Sequence, residues 1–172
     1  MNAALENLIT RRSIRKYKPE QITEAELDAV LEAGTYAPTA MGWQSPLMVA
    51  VTNKDDIAAM SRMNAAVMGR DADPFYGAST VIVVFADGDK PSGVQDATLV
   101  MANLLNAAHA VGLGSCWVNR AKEVFETEEG KALLKKWGVE GNWVGVGNCI
   151  LGYADETPEA KPRKEGYIVK VK

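Results

Sequence analysis

The chain has 172 residues, of which 47% are hydrophobic and 24% charged, and its formal net charge is −3. This length suits one domain, expected over residues 1–172, and the apolar content excludes an intrinsically disordered protein. The two cysteines, Cys116 and Cys149, are too few for a disulfide scaffold and are not spaced as a metal-binding pair. The start lacks the pattern of a secretion signal, and together these features favour a reducing, cytoplasmic setting with no membrane partner.

Positive charge is concentrated in two short segments of an otherwise acidic chain. These segments hold eight of the 19 basic residues, so the other 11 stand against all 22 acidic ones, a net −11. A nucleic-acid binder usually presents a broad basic surface, so the pattern favours one small anion, with solvated surface charges as the alternative. The N-terminal basic cluster comprises Arg11, Arg12, Arg15, Lys16 and Lys18, and the C-terminal basic cluster comprises Lys161, Arg163 and Lys164.

Periodicity and capping signals predict helices and strands along the whole chain. Apolar residues at helical spacing predict a helix over 3–11, and Thr23 with Glu26 forms a capping box for a helix that ends at Gly34. The β-branched run over 80–86 is the strongest strand signal. These elements define an α+β domain with about four or five strands and long helices packed on them. The other predicted elements, in chain order, are a strand over 47–52, helices over 55–68 and 94–111, a strand over 115–118, a helix over 128–137, and strands over 143–151 and 167–172.

Few side chains are suited to acid–base or covalent catalysis. His109 is the single histidine, which argues against histidine triads and multi-histidine metal sites. Gly112-Leu113-Gly114 follows a predicted helix, whereas a dinucleotide fingerprint follows a strand. Cys116 lies in an apolar strand and is expected to be a buried structural thiol. If the chain is an enzyme, we expect a bound cofactor to supply the chemistry.

Four segments carry a family resemblance: RRSIR at 11–15, APTAMGWQSP at 37–46, GLGSCW at 112–117, and GNCILGY at 147–153 with KPRK at 161–164. Together, in this order, they resemble the nitroreductase family of FMN-dependent, NAD(P)H-using oxidoreductases. The resemblance implies an α+β nitroreductase-like fold, with a central, mainly antiparallel sheet of about 4–5 strands flanked by helices. It also implies an interlocked homodimer with FMN at the subunit interface.

The resemblance places the first segment around the FMN phosphate. Arg11 and Ser13 would bind the phosphate oxygens through charge-assisted hydrogen bonds. Arg15 would lie nearer the ribityl chain and the N1/O2 edge of the ring, where a cation makes the flavin easier to reduce. Arg12 ranks lower among these cofactor-binding candidates, because its side chain more often points elsewhere in such motifs. The alternative is a basic helix end that complements its own dipole.

The resemblance brings the C-terminal basic cluster to the same phosphate. Lys161 and Arg163 are two residues apart, so on an extended chain they face one way. Both would approach the phosphate held by the first segment. Taken alone, this run would more often be an exposed loop.

The second segment would contact the isoalloxazine ring bound by the partner subunit. Pro38, Thr39 and Ala40 would lie against the ring. The Gln44 amide would hydrogen-bond the pyrimidine edge or the ribityl hydroxyls.

The third segment would run across the flavin, with a backbone amide directed at N5. The residues carried over to this role are Cys116, Trp117, Val118 and Asn119. Which of their amides faces N5 is left open by the sequence.

This chain departs from the family pattern at two positions. The family commonly has asparagine where Gly42 stands, so that flavin contact must be lost, moved or made by water. It often has glycine where Asn119 stands, and the asparagine either reshapes the pocket or tolerates the local backbone. Beside the first departure, Trp43 either walls the pocket or is a core aromatic anchored at the surface.

The family implies a two-step, ping-pong cycle without a covalent side-chain catalyst. Hydride from NAD(P)H would pass through flavin N5 to electron-poor acceptors such as nitroaromatics or quinones. Asn103 and Asn106 lie near one face of an uncharged helix, where their amides would pair across a dimer seam. The alternatives are a flavin-binding, storage or redox-sensing protein without turnover, and a relative of the reductive dehalogenase type.

Overall fold

The fold is described by a computed structural model that covers residues 1–172. Its elements confirm nearly all those predicted in the sequence, and α5 is an addition. Helices and strands alternate irregularly, as in an α+β protein. The elements are α1 (Ala3–Thr10), α2 (Glu24–Thr35), a 3-10 turn (Ala40–Gly42), β1 (Leu47–Val51), α3 (Lys54–Met68), β2 (Thr80–Asp87), α4 (Gly93–Ala110), β3 (Gly114–Val118), α5 (Ala121–Glu126), α6 (Glu128–Lys136) and β4 (Trp143–Gly152).

The four strands form one antiparallel sheet in the order β1-β2-β4-β3. In the middle of the sheet, Val83 of β2 lies opposite Val49 of β1 and Asn148 of β4. β2 is central and buried along nearly its whole length, as its β-branched sequence predicts. The antiparallel sheet flanked by helices confirms the predicted fold class.

Each face of the sheet packs against its own layer of helices. Alternate residues of β2 point to opposite faces: Ile82 and Val84 pack with α2 and α4, while Val83 and Phe85 pack with α3 and α5. Phe85 meets Phe125 edge to face, with ring centroids 4.9 Å apart. Burial of each such side chain contributes about 1.5–3 kcal/mol to folding, so both helical layers are firmly fixed to the sheet.

Local capping signals set several helix ends. The predicted capping box is present: Thr23 Oγ1 accepts from the Glu26 amide at 3.2 Å, and Glu26 Oε2 accepts from the Thr23 amide at 2.8 Å. α3 begins where the Asn53 side chain accepts from the Asp56 amide, and it ends at Gly69, whose φ is 61°. No helix combines the length and apolar character that crossing a bilayer requires.

The C-terminal segment departs from the prediction. The strand predicted over 167–172 does not pair with any strand of this chain. Tyr167, Ile168, Val169 and Val171 are instead 75–93% exposed. The alternating pattern is present, but the segment pairs with neither edge strand of its own sheet, β1 or β3.

Candidate functional site

The N-terminal basic cluster begins on an extended segment that follows α1 and borders the edge of the sheet. The Ile14 amide donates to the carbonyl of Ser115 at 3.0 Å, and Ser13 forms a parallel bridge to the same residue. Ile14 is buried and packs against Gly114, where a Cβ would lie 3.1 Å from Ile14 Cγ1. Because side chains alternate along an extended chain, residues 11, 13 and 15 face away from Ile14 and share one side.

Arg11 presents a buried donor without a partner. Its Nη1 is shielded from solvent and makes no hydrogen bond. An unsatisfied buried donor costs about 1–3 kcal/mol, and more when it is charged. The Arg11 charge also acts on His109, whose pKa is lowered first by burial and then by the Arg11 guanidinium. The arrangement at Arg11 therefore suits an anion that the chain itself does not provide.

Arg12 differs from Arg11 in that its guanidinium is engaged within the chain. Its Nη1 donates to the carbonyl of Ile9 at 2.8 Å and to the carbonyl of Arg11 at 2.7 Å. Both carbonyls lie at the C-terminal end of α1, where a cation is favourable. The lower rank that the sequence gives Arg12 agrees with this capping contact.

His109 is tied to the end of α1. Its Nε2 lies 2.9 Å from Thr10 Oγ1. Because the Thr10 hydroxyl donates its only proton to the Glu6 carbonyl at 2.7 Å, His109 Nε2 must be the donor in this contact. Burial, followed by the charges of Arg11 and Arg12, lowers the pKa of His109, which keeps the ring neutral at neutral pH.

Two acidic residues, absent from the sequence-based site, lie against the N-terminal basic cluster. Asp155 pairs with Lys16 at 2.7 Å, which raises the pKa of Lys16 and lowers that of Asp155. The Glu156 carboxylate accepts from the Arg15 amide. These contacts occupy Lys16 and the main chain of Arg15 but leave the Arg15 side chain free to meet a ligand.

Lys161 and Arg163 lie on the exposed segment beyond β4. Arg163 Nη2 donates to the carbonyl of Lys161 at 2.6 Å. Neither side chain forms a salt bridge to an acidic residue. The Lys161 ammonium is therefore unpaired, whereas the Arg163 guanidinium already donates through both Nε and Nη2 to the Lys161 carbonyl.

The loop over residues 38–44 has a tightly folded backbone. Thr39 organises it, because its carbonyl accepts from the Gly42 amide at 3.0 Å and its hydroxyl accepts from the Gln44 amide at 3.0 Å. Thr39 and Gln44 line a pocket of about 150 Å³ that also includes Pro46 and Met48. The loop thus presents two polar side chains at a cavity, as a ring-contacting segment would.

The left-handed backbone at Gly42 is compatible with either glycine or asparagine. Its φ is 66°, and a Cβ there would meet nothing within 4 Å. Glycine and asparagine are the residues that adopt this conformation most readily. The exchange of one for the other therefore preserves the loop shape and changes only the side chain.

Trp43 is 42% exposed and is not a core residue. The Lys90 ammonium lies 4.9 Å from its ring centroid. Both roles open for Trp43, a pocket wall and a surface-anchored aromatic, stay predictions.

The third segment coincides with β3, an edge strand of the sheet. The side chains of Cys116 and Val118 are buried on the α3/α5 face, while Trp117 points to the α2/α4 face. The Ser115 carbonyl points away from β4, because it accepts from Ile14. By the alternation of a strand, the amides of Trp117 and Asn119 point to the same outer edge.

The left-handed residue of this segment is Arg120, with φ 79° and ψ 13°, rather than Asn119. Asn119 does not have a positive φ, so its backbone is not in the conformation that favours glycine. Arg120 pairs with Glu123 at 2.7 Å on the surface.

Trp117 and Gly147 form a contact that the sequence did not reveal. A Cβ at Gly147 would lie 2.3 Å from Trp117 Nε1, so only glycine leaves room for the indole. Trp117 Nε1 is buried and has no hydrogen-bond partner.

Asp96 is another residue of the site that the sequence did not reveal. Its carboxylate accepts from the Ala40 amide at 3.0 Å. Its only sequence signal is that it is the last charged residue before the uncharged stretch beginning at Ala97.

Comparison with known proteins identifies the family. The profile of the nitroreductase family matches residues 8–70 and 68–153. A relative from Archaeoglobus fulgidus, provisionally named an NADH dehydrogenase/NAD(P)H nitroreductase, is 33% identical over 89% of this chain and 86% of its own length. The NADPH-flavin oxidoreductase of Vibrio harveyi is 27% identical over 98% of this chain and 73% of its own. The chain belongs to the nitroreductase family.

A solved structure supports the same assignment. A nitroreductase with bound FMN from Bacteroides fragilis superposes with a TM-score of 0.92 at 29% identity, and the match covers 100% of both chains. The resemblance inferred from the four segments is thereby confirmed at the level of family and fold.

Proposed function

We propose that this protein is an FMN-dependent NAD(P)H oxidoreductase and that residues 1–172 form one FMN-binding domain. The observation that carries the proposal is the buried Nη1 of Arg11, which has no hydrogen-bond partner within the chain. Bound FMN would supply hydride transfer from NAD(P)H to electron-poor acceptors such as nitroaromatics or quinones. The names of the Vibrio relative and the FMN-bound Bacteroides structure support this assignment.

The chain's own part begins with holding the phosphate. Arg11 and Ser13 would donate to its oxygens, and the phosphate would satisfy the donor that is otherwise orphaned. Lys161 and Arg163 would add charge from the C-terminal segment. Arg15 would stay near the ring edge, where its cation favours negative charge on the ring. Arg12 would contribute indirectly, by fixing the end of α1.

The ring would lie between β3 of one subunit and the 38–44 loop of the other. On one side, the outward amides of Trp117 and Asn119 are the donors available for N5. On the other, Thr39 and Gln44 already line a cavity. Cys116 and Val118 would contribute backbone alone, because their side chains are buried in the core.

The exposed apolar surface supports a homodimer. No residue of α1 is buried, and its Leu5, Leu8 and Ile9 are 52–56% exposed. The apolar tail over 167–171 is also unpaired. Two such surfaces in one chain are best explained by burial against a second copy. The predicted pairing of the Asn103 and Asn106 side-chain amides across the interface adds no support for the dimer. The Asn103 amide donates instead to the Ala33 carbonyl of its own chain at 2.9 Å.

Both thiols suit a reducing compartment, and we place the protein in the cytoplasm. Cys116 and Cys149 are buried, and they lie on opposite faces of the sheet. Because both thiols are buried, neither is arranged for covalent catalysis, and burial raises the pKa of Cys149 as well.

Turnover tests the proposed function directly. The purified protein, loaded with FMN, is mixed with NADH or NADPH and a quinone or nitroaromatic compound, and nucleotide oxidation is followed. We expect oxidation well above that of the same concentration of free FMN. FMN binding without turnover would instead indicate a storage or sensing protein, and the absence of binding would exclude both functions.

A further inference from the structure

Asp96 is a buried carboxylate outside every segment that carries the family resemblance. It lies in the first turn of α4 and is 3% exposed. Its Oδ1 accepts from the Ala40 amide at 3.0 Å, and its Oδ2 is buried without a partner. Burying a carboxylate is unfavourable unless the charge is compensated. The helix N-terminus provides part of that compensation, which favours an anion at this position.

The loop that Asp96 reaches has a conformation that needs support. Met41 and Gln44 are both in the left-handed region, with φ of 54° and 49°. Residues with side chains adopt this region at an energetic cost. Within the loop, the hydrogen bonds run between its own residues, with Thr39 and Ala40 as acceptors. The Asp96 contact is the hydrogen bond that ties this backbone to the rest of the fold.

The start of α4 is itself rigidly placed, so Asp96 is a fixed anchor. A Cβ at Gly93 would lie 2.3 Å from the carbonyl oxygen of Asp87, at the end of β2. The helix therefore begins in direct contact with the central strand, and Asp96 lies three residues further along, in the same first turn.

We infer that Asp96 is a positioning residue that holds the 38–44 loop in the shape needed to contact the flavin of the partner subunit. The inference rests on the proposed function. Asp96 does not touch the flavin in this scheme. It acts through the Ala40 amide, which fixes where Thr39 and Gln44 lie.

The first experiment compares Asp96→Ala, Asp96→Asn and the control Gln95→Ala, an exposed residue on the same helix. Hydrogen exchange of the apoprotein reports on the Ala40 amide, and titration with FMN reports on affinity. We expect Asp96→Ala to speed exchange at Ala40 and to weaken FMN binding about tenfold. Asparagine keeps an acceptor oxygen, so Asp96→Asn should retain protection and most of the affinity.

The second experiment asks which subunit's flavin Asp96 serves. Mixed dimers are made from one Asp96→Ala chain and one Arg11→Ala chain. If the loop acts across the interface, one of the two sites then combines an intact Arg11 with an intact loop. We expect half of the sites to bind FMN with wild-type affinity, whereas action within one chain would leave every site weakened.

The outcomes separate this inference from the proposed function. Failure of the wild-type protein to bind FMN would refute the function, while exchange at Ala40 would still report on the anchor. The inference would be overturned if Asp96→Ala had the same exchange rate at the Ala40 amide and the same FMN affinity as the wild type. If Asp96→Ala does not fold, Asp96→Asn decides: weak FMN binding with Ala40 still protected would show that the charge, not the anchored loop, matters.

Discussion

The indole of Trp117 lies directly over Gly147, and a Cβ at Gly147 would come within 2.3 Å of Trp117 Nε1. The two residues belong to neighbouring strands, β3 and β4, so neither backbone can move aside easily. We expect Gly147→Ala to lower the free energy of unfolding by about 1–3 kcal/mol, because the added methyl overpacks the contact. Denaturant unfolding measures the loss.

A double mutant provides the control for this contact. Trp117→Phe removes the indole nitrogen that the methyl would strike. We therefore expect Gly147→Ala to cost less in the Trp117→Phe background than in the wild type. Strictly additive losses would show that the two residues do not interact in this way.

Gly42 offers a test of the departure from the family pattern. Its left-handed backbone and the open space around it allow asparagine without a clash. We expect Gly42→Asn to leave the melting temperature nearly unchanged and to tighten FMN binding by restoring a polar contact. Gly42→Val is the matched control, because a β-branched residue is strained at this φ. Equal FMN affinity in Gly42→Asn and the wild type would mean that the contact is made by other groups.

The C-terminal tail provides a test of the dimer. Deletion of residues 165–172 removes the exposed apolar side chains but keeps Lys161 and Arg163. We expect the truncated protein to shift toward the monomer in sedimentation velocity, since it loses surface that the partner would bury. The variant Lys170→Ala with Lys172→Ala keeps the apolar residues and should remain dimeric. A truncated protein that dimerises as tightly as the full chain would remove the tail from the interface.

The Asp56 carboxyl is expected to make the free energy of unfolding sensitive to acid. Lys136 and the Trp137 indole, whose Nε1 lies 2.9 Å from Asp56 Oδ2, lower the pKa of this carboxyl below its usual value. A pKa depressed in the folded state stabilises the protein above the unfolded pKa, near 4, and this stability is lost as the pH falls through the folded pKa.

We expect Asp56→Asn to be less stable than the wild type by about 1–2 kcal/mol at neutral pH. The difference should narrow below pH ~4. Urea unfolding at several pH values measures it, with the exposed Asp55→Asn as control. A constant difference across the range would assign the loss to packing instead.

The sequence predicts the elements whose signals are local. Thr23 and Glu26 mark the start of α2, and the β-branched run over 80–86 marks the central strand. The sequence does not reveal α5, because this helix has only six residues and begins after the left-handed Arg120 without a side-chain cap. The tail was predicted as a strand from its alternation, which carries no information about which chain supplies its neighbour.

In the candidate site, too, some features have a local sequence signal, whereas others depend on contacts between residues far apart in the chain. Arg11 and Ser13 could be proposed for the phosphate because the RRSIR segment resembles that of the nitroreductase family, and a guanidinium with a hydroxyl suits phosphate oxygens. Asp96 could not be proposed in this way, because its contact with Ala40 joins residues 56 positions apart. Gly147 and Trp117 meet only once the strand register is known. Such contacts depend on topology, which a single sequence specifies less directly than it does its helix caps.

The measurement that tests the account most directly is the titration of the apoprotein with FMN, for the wild type and for Arg11→Ala. The control is Arg12→Ala, whose guanidinium is already engaged by main-chain carbonyls. We expect saturable binding by the wild type, a loss of roughly tenfold to a hundredfold in Arg11→Ala, and a much smaller loss in Arg12→Ala. Equal affinity of Arg11→Ala and the wild type would contradict the phosphate assignment on which the proposed function depends.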